Sequence, residues 1–207
     1  MKSKLFTAAL AALMLSSCTP KENGYFDNLP QEANPIEIGN KITNRFLEQG
    51  HSQYGSPLRV NEPRTQITYP DVCTWLGGLW FAQETDNKEL TERLKARFEP
   101  LFTNEAYLQP KPNHVDNNVF GAVPLELYLQ TGEERYKTLG MMYADSQWEL
   151  PANWKLKEGE ERQSSMYGDF KDADICQPEQ KEWADKGYSW QTRFWLDDMY
   201  MITTIQA

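Results

Sequence analysis

Histidine and cysteine are scarce in this chain. Two histidines, His51 and His114, and three cysteines stand among 207 residues, and none falls at the spacing of a metal site. No phosphate-binding loop, dinucleotide fingerprint or Gly-x-Ser-x-Gly elbow is present. Nucleotide-driven and serine-hydrolase chemistries therefore have no foothold, and neither a cofactor nor a metal is expected. Basic residues are also short, 21 against 30 acidic ones, for a formal net charge of −9. That balance excludes a basic nucleic-acid footprint. What is present is apolar and aromatic: 40% hydrophobic and 13% aromatic residues fit a globular protein with one sizeable core rather than a disordered chain.

The first residues read as an address. Met1-Lys2-Ser3-Lys4 is a charged start, and the apolar run 5–15 is too short to span a bilayer, which predicts a secretory signal over 1–17. The run closes on Leu15-Ser16-Ser17-Cys18, which resembles the bacterial lipobox. Cys18 would then carry acyl chains and anchor the protein to a membrane of the bacterial cell envelope, in the periplasm or at the outer membrane. The plainer alternative is ordinary secretion with an incidental cysteine. Residues 18–35, with Pro20, Pro30 and Pro35, read as a flexible tether. Cys73 and Cys176 remain free to pair in an oxidising compartment, although Cys73 lies in an apolar helical run and is expected to be a small core residue.

From residue 36 onward the pattern is helical. Ile36, Ile38, Ile42, Phe46 and Leu47 predict an amphipathic helix over 36–49. Two similar units follow. Each is an apolar inner helix (71–85, then 117–130), a short turn, and a charged outer helix (88–102, then 133–148). Gly77-Gly78 inside the first inner helix suggests close approach by a neighbouring helix or a ligand. Helix pairs repeating at this length indicate a stacked or circular array. Residues 151–187 interrupt it as a long polar loop, and a third apolar helix is expected over 189–202, buried on all sides.

That third helix carries the chemistry. Asp197 and Asp198 sit among Phe194, Trp195, Leu196, Met199, Tyr200 and Met201. A carboxyl in apolar, aromatic surroundings tends to hold its proton and is a candidate donor. Pairing of Asp197 with Arg193 one turn earlier, or capping of a helix end, are the plainer alternatives. Asn113-His114-Val115-Asp116-Asn117-Asn118, just ahead of the second inner helix, reads either as a helix cap or as a second acid at the same end. Trp190 and Trp195 flank the acidic pair and can stack on the apolar faces of sugar rings, making a carbohydrate site plausible.

Three stretches together resemble glycoside hydrolase family 105, the unsaturated rhamnogalacturonyl and glucuronyl hydrolases, close relatives of family 88. They are Tyr69-Pro70-Asp71-Val72-Cys73-Thr74-Trp75-Leu76-Gly77, Val119-Phe120-Gly121-Ala122-Val123-Pro124-Leu125-Glu126 and Trp195-Leu196-Asp197-Asp198-Met199-Tyr200-Met201. The resemblance implies an all-α fold, with 36–207 forming part of an (α/α)6 toroid, about half of the ring, as an interrupted form of a longer protein would. It implies Asp197 as general acid/base and Asp116 as supporting acid, with Trp195, Arg193, His114 and Trp190 on the substrate. Arg193 is placed either on a uronate carboxylate or in a structural ion pair. The implied reaction removes a 4,5-unsaturated uronic acid from lyase-generated oligosaccharides by hydrating the double bond, so the carboxylate-separation rule of ordinary glycosidases does not apply. A carbohydrate-binding surface lipoprotein without catalysis, or another toroidal sugar enzyme such as an epimerase, are the competing expectations.

Overall fold

A computed structural model describes residues 29–51, 65–150, 155–156, 175–176, 178–191 and 196–207. The signal-like segment and Cys18 lie outside the described residues. The chain divides into two units, 1–40 and 41–207. In the first, a 3-10 turn, Gln31–Ala33, precedes the opening turns of helix α1, Pro35–Glu48. Asn34 Oδ1 accepts the Ile36 N–H at 2.9 Å, and Pro35 has no N–H to leave orphaned, so the helix begins where a cap is supplied. Within the expected tether, residues 31–33 form this turn and Pro35 is the first residue of α1.

In the second unit the rest of α1 buries Thr43 and Phe46. Helix α2, Tyr69–Glu84, starts from a capping box: Asp71 Oδ2 accepts from both the Thr68 N–H and the Thr68 hydroxyl at 2.9 Å. After a turn, helix α3, Lys88–Phe98, returns on the outside with Leu90, Leu94 and Phe98 buried. Two 3-10 turns, Glu99–Phe102 and Ala106–Leu108, lead to a short helical turn α4, Val115–Asn118. A further 3-10 turn, Val119–Gly121, runs into α5, Ala122–Thr131. Gly132, at φ 74°, ends α5 in the left-handed conformation that glycine adopts at no steric cost. Helix α6, Glu134–Ser146, then packs back on α5.

The inner helices of the two hairpins run side by side in one direction. Gln66 Nε2–H donates to Asn117 Oδ1 at 2.8 Å near their starts, and Gln130 Nε2–H donates to the Leu79 carbonyl at 3.2 Å near their ends. Aromatic rings join the layers: Trp75–Phe98, Phe98–Phe120 and Phe120–Tyr143 have centroids 5.4, 5.6 and 5.1 Å apart. The outer helices are tied by Arg135, which donates to both Glu99 carboxylate oxygens at 2.7 Å, and by Lys95 to Glu133 at 2.5 Å. Close approach at Gly78 is met by a neighbouring helix, since an added Cβ would lie 3.1 Å from Thr43 Cγ2 and 3.3 Å from Leu94 Cδ2.

Four expectations need correction. The single helix over 117–130 is broken, because Pro124 has no N–H and crowds the carbonyl four residues back. The outer helix over 88–102 leaves α geometry at Glu99, where Pro100 acts in the same way. Within 151–187 lies helix α7, Pro178–Asp185, held by i,i+4 pairs from Lys181 to Asp185 and Lys186 to Glu182. A two-residue parallel bridge joins β1, Lys155–Leu156, to β2, Ile175–Cys176. Lastly, helix α8 is Leu196–Gln206 and not 189–202; Ser189–Gln191 is a turn. Among the described residues the protein is all-α apart from that bridge. Among the described residues no helix is long and apolar enough to cross a membrane.

Candidate functional site

The starts of α2 and α4 share one end of the unit, bonded through Gln66–Asn117 and through the Ile67 N–H to the Leu108 carbonyl at 2.8 Å. His114 caps α4: its buried ring accepts the Asp116 N–H through Nδ1 at 3.2 Å, which places the ring proton on Nε2. The Asp116 carboxylate is therefore not the cap. It stands in the first turn, about a third exposed, with Oδ1 3.6 Å from the His114 ring.

Helix α8 packs against α4 and the turn after it. Its buried stripe is Asp198, Met201 and Ile205, at helical spacing, and Ile205 Cδ1 lies 2.6 Å from where a Cβ on Gly121 would sit. The opposite side faces solvent: Leu196 is 90% exposed, Met199 61% and Tyr200 38%, with Asp197 exposed beside them. Burial on all sides does not occur, because among the described residues no element covers that side. Asp198 is the desolvated member of the pair and Asp197 the accessible one, so the apolar enclosure expected to hold a proton on Asp197 is not found among the described residues, and its carboxyl is instead open to a ligand.

Ser189, Trp190 and Gln191 close the last turn of α6. The Ser189 hydroxyl donates to the Gln147 carbonyl at 2.7 Å, Trp190 Nε1–H to the Ser146 carbonyl at 2.8 Å, and Gln191 Nε2–H to the Pro112 carbonyl at 3.2 Å. Asn118 and Gln206 donate to the Tyr143 and Ala144 carbonyls, each at 3.0 Å. Side chains from three places thus satisfy carbonyls that a helix end leaves orphaned. The Trp190 ring is buried in this role and offers no face to a sugar. Arg193 and Trp195 lie outside the described residues.

Cys73 corrects a second expectation of burial, being a free, exposed thiol. Its Sγ is 3.8 Å from the Tyr200 hydroxyl, which joins the solvent side of α8 to that of α2. Partial burial, and then the hydrogen bond with Cys73, push the Tyr200 phenol up to about 12. The face so formed continues along α2 through Gly77 to Trp80, which is 44% exposed and donates to Glu126 of α5. Sequence reasoning missed Cys73, Trp80 and Tyr200. The signal was the spacing of Tyr69, Cys73, Gly77 and Trp80, which marks one side of a helix otherwise filled with core residues.

A recess of about 580 Å³ opens elsewhere, between the turns that follow α2 and α5, lined by Asp86, Lys88, Glu92, Lys95, Gln130 and Glu133 among others. Asp116, Asp197 and Asp198 do not line it. Among the described residues no group of three or more His, Cys, Asp or Glu side chains is arranged to hold a metal. No known protein family, curated protein or solved structure matches the chain.

Proposed function

We propose that this protein is an unsaturated uronyl hydrolase, with α2, α4–α5 and α8 as inner staves of an (α/α)6 toroid and α3 and α6 as outer ones. The observation that carries the reading is the accessible carboxyl of Asp197, on a helix packed against the turn that bears Asp116 and joined through Tyr200 and Cys73 to an aromatic face. Acids and aromatic rings exposed together suit a polyhydroxylated, partly apolar ligand.

The substrate ring contains an enol ether. The Asp197 carboxyl delivers its proton to C4, and the electron pair of the C4=C5 bond forms the new C–H bond, leaving oxocarbenium character at C5. The Asp197 carboxylate then takes a proton from a water whose oxygen bonds to C5. The resulting hemiketal opens and releases the attached sugar. Asp116 supports this chemistry from the neighbouring helical turn, with its backbone fixed by His114. A lipid on Cys18 would hold the enzyme at the bacterial cell envelope, where oligosaccharides left by polysaccharide lyases arrive.

Incubation with such oligosaccharides, followed through the absorbance of the conjugated double bond, tests the reading. Turnover by the native chain and its loss in a folded Asp197→Asn variant is the expected result. Full turnover by that variant would remove Asp197 from the chemistry. Binding without any turnover would favour a carbohydrate-binding lipoprotein, a reading that the solvent exposure of Asp197 also supports.

A further inference from the structure

We infer that Trp80 and Glu126 form a sugar platform that takes a neutral pyranose in preference to a uronate. Which part of an oligosaccharide it holds rests on the hydrolase reading above.

An exposed tryptophan normally leaves a large apolar ring in water with its orientation unfixed. Trp80 is exposed but held. Its Nε1–H donates to Glu126 Oε2 at 3.0 Å, and Glu126 Oε1 accepts from Gln130 Nε2–H at 2.8 Å. The same Gln130 nitrogen donates to the Leu79 carbonyl at 3.2 Å, so the chain of bonds closes on the residue beside Trp80. Both helices fix the ring before any ligand arrives, which removes the ordering cost of an aromatic anchor.

Space is provided beside it. A side chain on a helix leans toward the preceding turn, so the residue flanking the Trp80 ring on this side is at position 77. That residue is Gly77, where an added Cβ would meet nothing within 4 Å. Cys73, one turn earlier, is small and exposed. A sugar ring laid on the indole finds room over Gly77.

Charge decides which sugar. The helices α2, α5 and α8 contain no lysine or arginine, yet they carry Asp71, Glu84, Glu126, Asp197 and Asp198. A carboxylate only accepts hydrogen bonds, so Glu126 suits hydroxyl donors and repels a uronate. Trp80 stands eleven residues after the start of α2, about 16 Å along its axis at 1.5 Å per residue. The start of α2 is the end shared with the Asp116 turn. The platform therefore holds a neutral sugar remote from the unsaturated unit.

Titration of the whole chain with a neutral rhamno-oligosaccharide and with an oligogalacturonate of equal length, read by tryptophan fluorescence and calorimetry, tests this. The neutral sugar is expected to bind and perturb the fluorescence, with the uronate about tenfold weaker or more. Trp80→Ala is expected to weaken neutral-sugar binding about tenfold. Gly77→Leu, which fills open space on a helix and leaves the fold intact, should do the same. Glu126→Gln should narrow the difference between the two sugars. Unchanged affinity in Trp80→Ala and Gly77→Leu, or equal binding of both sugars by the native chain, would overturn the platform. Neither probe has an unsaturated bond, so a chain that binds as described but shows no turnover would refute the hydrolase reading alone.

Discussion

His51 illustrates how one residue sets a property of the whole chain. Its side chain is 3% exposed, lies against Trp75 with ring centroids 5.6 Å apart, and donates from Nδ1 to the Glu105 carboxylate. Burial lowers its pKa below the ordinary 6.5, and Arg97 adds to the lowering, while the bond to Glu105 and the charges of Glu105 and Asp71 oppose it. The folded form therefore keeps the ring neutral where the unfolded chain would already bind a proton. Its contribution is intact above pH 6.5 and declines as pH falls below that value toward the folded-state pKa. Urea denaturation across a pH series is expected to show stability falling through this window, with a shallower slope in His51→Gln. An identical slope in that variant would show that His51 is not the group responsible. The same local view explains which acid the sequence could not single out. Asp197 and Asp198 are adjacent and chemically alike, and only the placing of Met201 and Ile205 against the turn beside α5 decides which of them is desolvated.

At the scale of elements, the α5–α6 crossing depends on two glycines. A Cβ on Gly140 would lie 2.4 Å from Leu125 Cγ and 2.9 Å from the Gly121 carbonyl oxygen, and one on Gly121 would lie 2.5 Å from Tyr143 Cβ. The Leu125 side chain can rotate away, but Tyr143 Cβ and the Gly121 carbonyl are fixed by the backbone and can move only by separating the helices. Gly140→Ala is therefore expected to destabilise by about 1–3 kcal/mol despite alanine's better helix propensity. Chemical denaturation reads this directly, and an unchanged or raised midpoint would contradict the crossing. The hairpins α2–α3 and α5–α6 were legible in the sequence because their apolar residues recur at helical spacing between clear turns. Helix α7 was not, since i,i+4 charge pairs stabilise it and it carries little apolar signal. The late start of α8 was hidden for another reason. Ser189, Trp190 and Gln191 have the composition of a helix but spend their hydrogen bonds on α6 and Pro112, contacts some forty to eighty residues away.

At the scale of the molecule, the layered hairpins place one row of side chains from α2, α5 and α8 in solvent. That row holds Cys73, Trp80, Glu126, Asp197 and Tyr200, and it is where chemistry and recognition are proposed to meet. The residue types of the site, acids near aromatic rings on apolar helices, were legible in the sequence. The specific rings were not: Trp190 is consumed as a cap, while Trp80 is presented. Composition does not separate the two tryptophans, because the distinction lies in which neighbour each indole N–H finds.

On the proposed reading, Asp197 protonates an unsaturated sugar. Running the reaction with a lyase-generated oligosaccharide in D2O and following it by NMR tests this most directly. Deuterium is expected at C4 as the double bond disappears and the sugar is released, with no such signal from Asp197→Asn. Release of the sugar with the double bond still intact, or deuteration at the native rate in the variant, would contradict it.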